Sequence, residues 1–121
     1  MGLELKWLKD DEQVEMLQRG YLDDGETPEV RFQTICDTIQ KYSTKLAKTE
    51  ESKEYVKGIG KRFEGYISKG WPSWSTPIIR SFGSEHNLPI SCNHTILEDS
   101  MDGIYRRLYE TGILGSKGSG T

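Results

Sequence analysis

The chain reads as mainly α with a short β portion. Apolar residues recur at steps of three and four through most of the first seventy positions, and helix-start chemistry stands at Asp10-Asp11 and at Thr27-Pro28. One β-rich run, residues 90–97, then precedes a last helical stretch. A chain of 121 residues ordinarily makes one domain with a usable core. Here 34% of residues are hydrophobic and 29% charged, so poor autonomous stability is expected.

The first helix begins after Asp10-Asp11, whose charge suits a helix N-terminus, and places Val14, Leu17 and Tyr21 on one side before Gly20 ends it. Thr27, Pro28 and Glu29 open the second: a threonine caps free N–H groups, and a proline needs no hydrogen bond in the first turn. That helix carries Ile35, Ile39, Tyr42 and Leu46 as a stripe, with Cys36 beside it as packing. A third helix is expected over 52–69 with Tyr55, Ile59, Phe63 and Tyr66 inward. Gly58 and Gly60 weaken it by about 1 kcal/mol each, so either a neighbour comes close there or the helix is distorted.

Gly70-Trp71-Pro72 breaks the helical run, because proline holds the residue before it in an extended conformation. The internal boundary falls there, with a helical region at 1–70 and a second region at 71–121. Past it the chain is expected to turn to strands. The strand at 90–97 gives Cys92 a rigid backbone, and Asp99 caps a following helix with Asp102 in its first turn. That helix sets Met101, Ile104, Leu108 and Gly112 on one face. Trp7, Trp71 and Trp74 anchor packing.

Charge and cysteine usage narrow the function. With a net charge of −3 and no basic run longer than Arg106-Arg107, nucleic acid is not an expected partner. There is neither a signal peptide nor an apolar span long enough for a membrane, so a soluble cytoplasmic protein with both cysteines as thiols is expected. Cys92 with His86 and His94 offers three metal candidates, of which His86 falls in a loop. A structural zinc takes four, so no metal site is expected. Read by itself, Cys92 is either a small packing residue or a thiol held for chemistry.

Its company favours the second reading. Trp74-Ser75-Thr76-Pro77-Ile78, Phe82-Gly83-Ser84, Leu88-Pro89-Ile90-Ser91-Cys92, Glu98-Asp99-Ser100-Met101 and the final Ser116-Lys117-Gly118-Ser119-Gly120-Thr121 follow in order, after an early Arg19-Gly20-Tyr21-Leu22 and Gly25-Glu26-Thr27. This series, over nearly the whole chain, resembles the large, catalytic subunit of ribonucleotide reductase. Two positions depart from the pattern: Asn93, where many relatives have an aromatic or aliphatic residue, and Ser119, which interrupts a glycine triplet.

The resemblance implies an N-terminal helical layer leading into the first strand and helix of a ten-stranded α/β barrel. A whole subunit of that kind is several times longer, so the chain is expected to be its front end, stopping inside the glycine-rich effector loop through a split gene, an intervening sequence or a truncation. No preceding cone domain, and hence no overall activity switch, is expected. By resemblance Cys92 is one of two cysteines that form a disulfide as a ribonucleotide is reduced, while a third carries the thiyl radical. Thr76 and Ser91 match substrate-holding positions. Asp99, Ser100, Met101 and Ile104 match the specificity site for a deoxynucleoside triphosphate or ATP, and Lys117 with the following glycines offers phosphate contacts.

No cofactor would be bound directly by this segment. The radical would come from a separate metal-containing subunit, or from cobalamin in another class. Expected partners are the remaining C-terminal part of the catalytic subunit, a second catalytic subunit, the radical-generating small subunit and a thioredoxin- or glutaredoxin-type reductant. The chain alone would be inactive. The alternative is an independent, non-catalytic helical binding or assembly module, in which Cys92 would be buried and dispensable.

Overall fold

The computed structural model describes residues 2–84 and 88–120, and four of the six helices within them start at a side-chain cap. At α1 (Asp11–Gly20) the Asp10 carboxylate accepts from the Gln13 N–H at 2.8 Å. At α2 (Pro28–Leu46) the Thr27 hydroxyl accepts from the Val30 N–H, with Pro28 in the first turn. α2 is the longest helix and the centre of the molecule. Its Ile35 and Cys36 are wholly buried, packed with Leu5, Phe32 and Ile67, and Trp7, Phe63, Trp74, Ile79 and Phe82 close around them. Trp7 meets Phe32 edge to face at 5.8 Å, and its indole N–H donates to the Ile67 carbonyl at 2.8 Å.

The single helix expected over 52–69 is two helices, α3 (Glu50–Val56) and α4 (Ile59–Ser68). Both open explanations for the glycines hold, one at each position. Gly58 has φ +67°, a left-handed conformation that ends α3's course. At Gly60 a Cβ would lie 3.0 Å from the Cys36 carbonyl oxygen, so α2 and α4 touch there backbone to backbone. Gln40 on α2 closes the break: its amide donates to the Val56 carbonyl and accepts from the Gly60 N–H.

The inward face of this region also differs from the expected one. Ile67 is buried and Ile59 and Phe63 are half-buried, whereas Tyr55 and Tyr66 face solvent. Trp71 is 67% exposed and stacks on Tyr66 at 5.7 Å, so only Trp7 and Trp74 anchor the core. On α2 the stripe is buried at Ile35 and half-buried at Ile39, while Tyr42 and Leu46 are exposed.

Residues 76–81, expected among turns and strands, form α5 (Thr76–Ser81). Pro77 sits in its first turn, where the missing N–H removes no hydrogen bond, and Ile79 and Phe82 reach back onto the core. Arg31, 2% exposed, ties this end to α2: its guanidinium donates to the Phe82 carbonyl and faces Glu26 at 3.8 Å.

The strand expected over 90–97 does not form. The segment makes one isolated parallel bridge, Cys92 with Gly120. A strand is held by a neighbour's ladder and by a layer under one face. Among the described residues only the 119–120 end is alongside, and Ile90, Ile96 and Leu97 lie exposed. α6 (Met101–Ser116) is capped by Ser100, whose hydroxyl accepts from the Gly103 N–H at 3.0 Å, and not by Asp99. Met101, Ile104 and Leu108 share an exposed face of it. Among the described residues no helix is long and apolar enough to cross a membrane.

Candidate functional site

The sequence-predicted residues fall into two places. Thr76 at the start of α5, Ser91 in the extended segment and Lys117 at the C-terminal cap of α6 line one groove of about 340 Å³. Pro77, Arg80, Ser81, Leu88 and Gly118 complete it. Cys92 stands beside it, solvent-exposed, with its sulfur 3.7 Å from the Ser91 hydroxyl. The non-catalytic alternative required a buried Cys92. Cys36, by contrast, is enclosed by α2 and α4, and burial pushes its thiol up to about 12, so it stays protonated and inert at neutral pH.

Main-chain bonds hold the groove's wall together. The Gly120 N–H donates to the Ser91 carbonyl at 2.8 Å, the Asn93 N–H donates to the Gly120 carbonyl at 3.1 Å, and Leu88 bonds the Lys117 carbonyl. The Asn93 side-chain amide donates to the Ser119 hydroxyl. The two positions that depart from the reductase pattern are therefore partners of each other, one on each side of the Cys92 bridge.

Asp99, Ser100, Met101 and Ile104 are exposed at the opposite end of α6 from Lys117. A 16-residue helix separates them by about 24 Å. The structure thus brings Lys117 to Thr76 and Ser91 and leaves the other four residues as a separate cluster, in which the Ser100 hydroxyl is occupied as a cap.

Sequence reasoning missed Arg80 and Ser81. For Arg80 the signal was its four-residue spacing from Thr76, which a helix brings to neighbouring turns at about 6 Å, whereas a strand would hold the two on one face but about 13 Å apart. Among the described residues no three His, Cys, Asp or Glu side chains gather as metal ligands would, and His86 lies outside the described residues.

Comparison with known proteins follows the same line. No family model matches the chain. It is 34% identical over 109 residues to the ribonucleoside-diphosphate reductase large subunit of Invertebrate iridescent virus 6, covering 88% of this chain and 10% of that protein. The solved class Id ribonucleotide reductase alpha subunit of Actinobacillus ureae superimposes with a TM-score of 0.76 at 30% identity, over all of this chain and 21% of that one. The chain thus spans about a tenth to a fifth of the length of the proteins it matches.

Proposed function

We propose that this chain, which belongs to the ribonucleotide reductase large-subunit family, supplies the N-terminal portion of a catalytic subunit that reduces ribonucleotides to deoxyribonucleotides. Residues 1–70 form its helical region and 71–121 begin the catalytic barrel, whose further strands would flank the 90–97 segment beyond its single bridge to Gly120. Cys92 is the redox-active residue of this portion. Replacing a ribose hydroxyl by hydrogen, with the oxygen leaving as water, requires two protons and two electrons, and a pair of thiols passing to a disulfide releases two of each. The partner thiol and the radical-bearing cysteine belong to the remaining polypeptide, so the chain alone does not turn over.

Thr76 and Ser91 hold the substrate, each with a hydroxyl that both donates and accepts. Asp99, Ser100, Met101 and Ile104 contribute to the specificity site for a deoxynucleoside triphosphate or ATP. The radical comes from a separate metal-containing subunit, and a thioredoxin- or glutaredoxin-type protein restores the dithiol. The working assembly is a cytoplasmic pair of catalytic subunits.

The observation that carries this reading is the exposed Cys92 thiol beside the Ser91 hydroxyl, at the edge of the groove that Thr76 also lines. Exposed apolar residues on 90–97 and along α6 support association with further polypeptide. The test is co-purification of the chain with the polypeptide carrying the rest of the subunit, followed by a reductase assay. Wild-type chain gives deoxynucleotide product and Cys92→Ser gives none; full turnover with Cys92→Ser overturns the reading.

A further inference from the structure

We propose that the Asn93–Ser119 side-chain pair is a register lock that decides which way the Cys92 thiol faces, so that Asn93 and Ser119 are positioning residues for it. The proposal rests on the redox reading of Cys92 for the chemistry the thiol performs. The lock itself is particular to this chain, at the two positions where it departs from the reductase pattern.

The main-chain contacts here do not choose a register by themselves. Two bonds make the bridge: the Gly120 N–H donates to the Ser91 carbonyl at 2.8 Å and the Asn93 N–H donates to the Gly120 carbonyl at 3.1 Å, the parallel pattern centred on Cys92 and Gly120. Every non-proline residue carries the same donor and acceptor, so a one-residue slip re-forms equivalent bonds, and a glycine-rich partner such as Gly118-Ser119-Gly120 specifies register weakly. That slip would turn each side chain to the opposite face. The side-chain pair supplies what the backbone lacks. Asn93 follows one bridged residue and Ser119 precedes the other, so alternation puts both on the face opposite Cys92, where the Asn93 amide donates to the Ser119 hydroxyl. Ser119 is 5% exposed, and a slip would leave its buried hydroxyl without this partner. On the other face Cys92 is exposed and lies alongside Gly120, which has no side chain to cover it. The thiol is held outward by a bond made behind it.

Amide hydrogen exchange of the 121-residue chain, read by NMR for Asn93→Ala, Ser119→Ala and the double variant, tests the lock. Each single variant should lower protection at positions 93 and 120 about fivefold, the worth of one neutral hydrogen bond, and the double variant should lower it no further. Protection of Ile35 and Cys36 in α2 should not change, which separates a local lock from a general loss of stability. In the subunit reconstituted with its remaining polypeptide, Ser119→Ala should lower kcat about tenfold with KM within about twofold of wild type, because the thiol and not the substrate-holding groups is displaced. Unchanged protection at 93 and 120, a double variant whose loss is the product of the two single losses, an equal loss throughout α2, or an unchanged kcat overturns the lock. Full turnover by Cys92→Ser in the same assay overturns the redox reading instead and leaves the exchange result standing.

Discussion

Gly83→Ala offers the sharpest check on how the helical layer meets the segment leading to Cys92. Gly83 has φ +90°, and a Cβ built there would lie 2.3 Å from the Thr38 hydroxyl oxygen and 3.2 Å from the Thr34 methyl on α2. The backbone conformation alone costs a non-glycine residue about 1–2 kcal/mol. Forcing a methyl into occupied space adds about 1–3 kcal/mol, so a loss of about 2–5 kcal/mol is expected. Measured against the roughly 5–15 kcal/mol that holds a domain together, that is a severe change.

Urea unfolding monitored by tryptophan fluorescence reads it, because Trp7 and Trp74 pack against the core. The two contributions separate in a double-mutant cycle. Thr38→Ala removes the opposing oxygen at the expense of a bond to the Thr34 carbonyl within α2, worth about 0.5–1.5 kcal/mol. With both changes the steric part is recovered and the backbone part stays, giving a coupling of about 1–3 kcal/mol. Stability of Gly83→Ala within about 0.5 kcal/mol of wild type, or a coupling of zero, would show that α2 and this turn do not meet as described.

Thiol titration of the folded chain at pH 8 should find one fast-reacting cysteine, abolished by Cys92→Ser, and a second only in denaturant, since Cys36 is buried with its pKa raised to about 12; rapid labelling of Cys36 in the native chain would contradict the packing of α2 on α4. Glu64 accepts hydrogen bonds from Gln33 and Lys61, which hold its carboxyl below the ordinary value of about 4.3. The unfolded chain therefore takes up this proton first as pH falls, so the stabilisation is complete above about pH 5 and is lost on acidification through the folded-state pKa. Glu64→Gln should flatten that acid limb of the urea-midpoint profile, and an unchanged acid limb would refute the assignment.

Much of the helical layer was legible because local signals and packing agree there. Asp10 and Thr27 cap α1 and α2 as their chemistry predicts, and Ile35 and Cys36 sit on the buried face. Misreadings arose where one local signal served two structures. Glycines at 58 and 60 looked alike, although one turns the chain and the other lets two backbones meet. Thr76-Pro77 looked extended because proline restrains its predecessor, yet Pro77 also fits a first helical turn, and the core contacts of Ile79 and Phe82 decided for helix. The 90–97 run has strand composition but, among the described residues, no ladder beside it, and composition alone carries no hydrogen bonds. Of the groove's lining, Thr76, Ser91 and Lys117 had been singled out from the residue series, while Arg80, one helical turn after Thr76, had not because the segment was read as extended.

The bridge at Cys92 has a dynamic consequence. α2 is packed by side chains from both of its flanks, whereas 88–93 meets the 117–120 turn through a few main-chain bonds and the Asn93 amide, with little apolar cover. Local opening there is expected to cost less free energy than global unfolding, so its amides should exchange with solvent deuterium before those of Ile35 and Cys36. The sulfur is presented on this thinly covered margin, outside the buried core around α2.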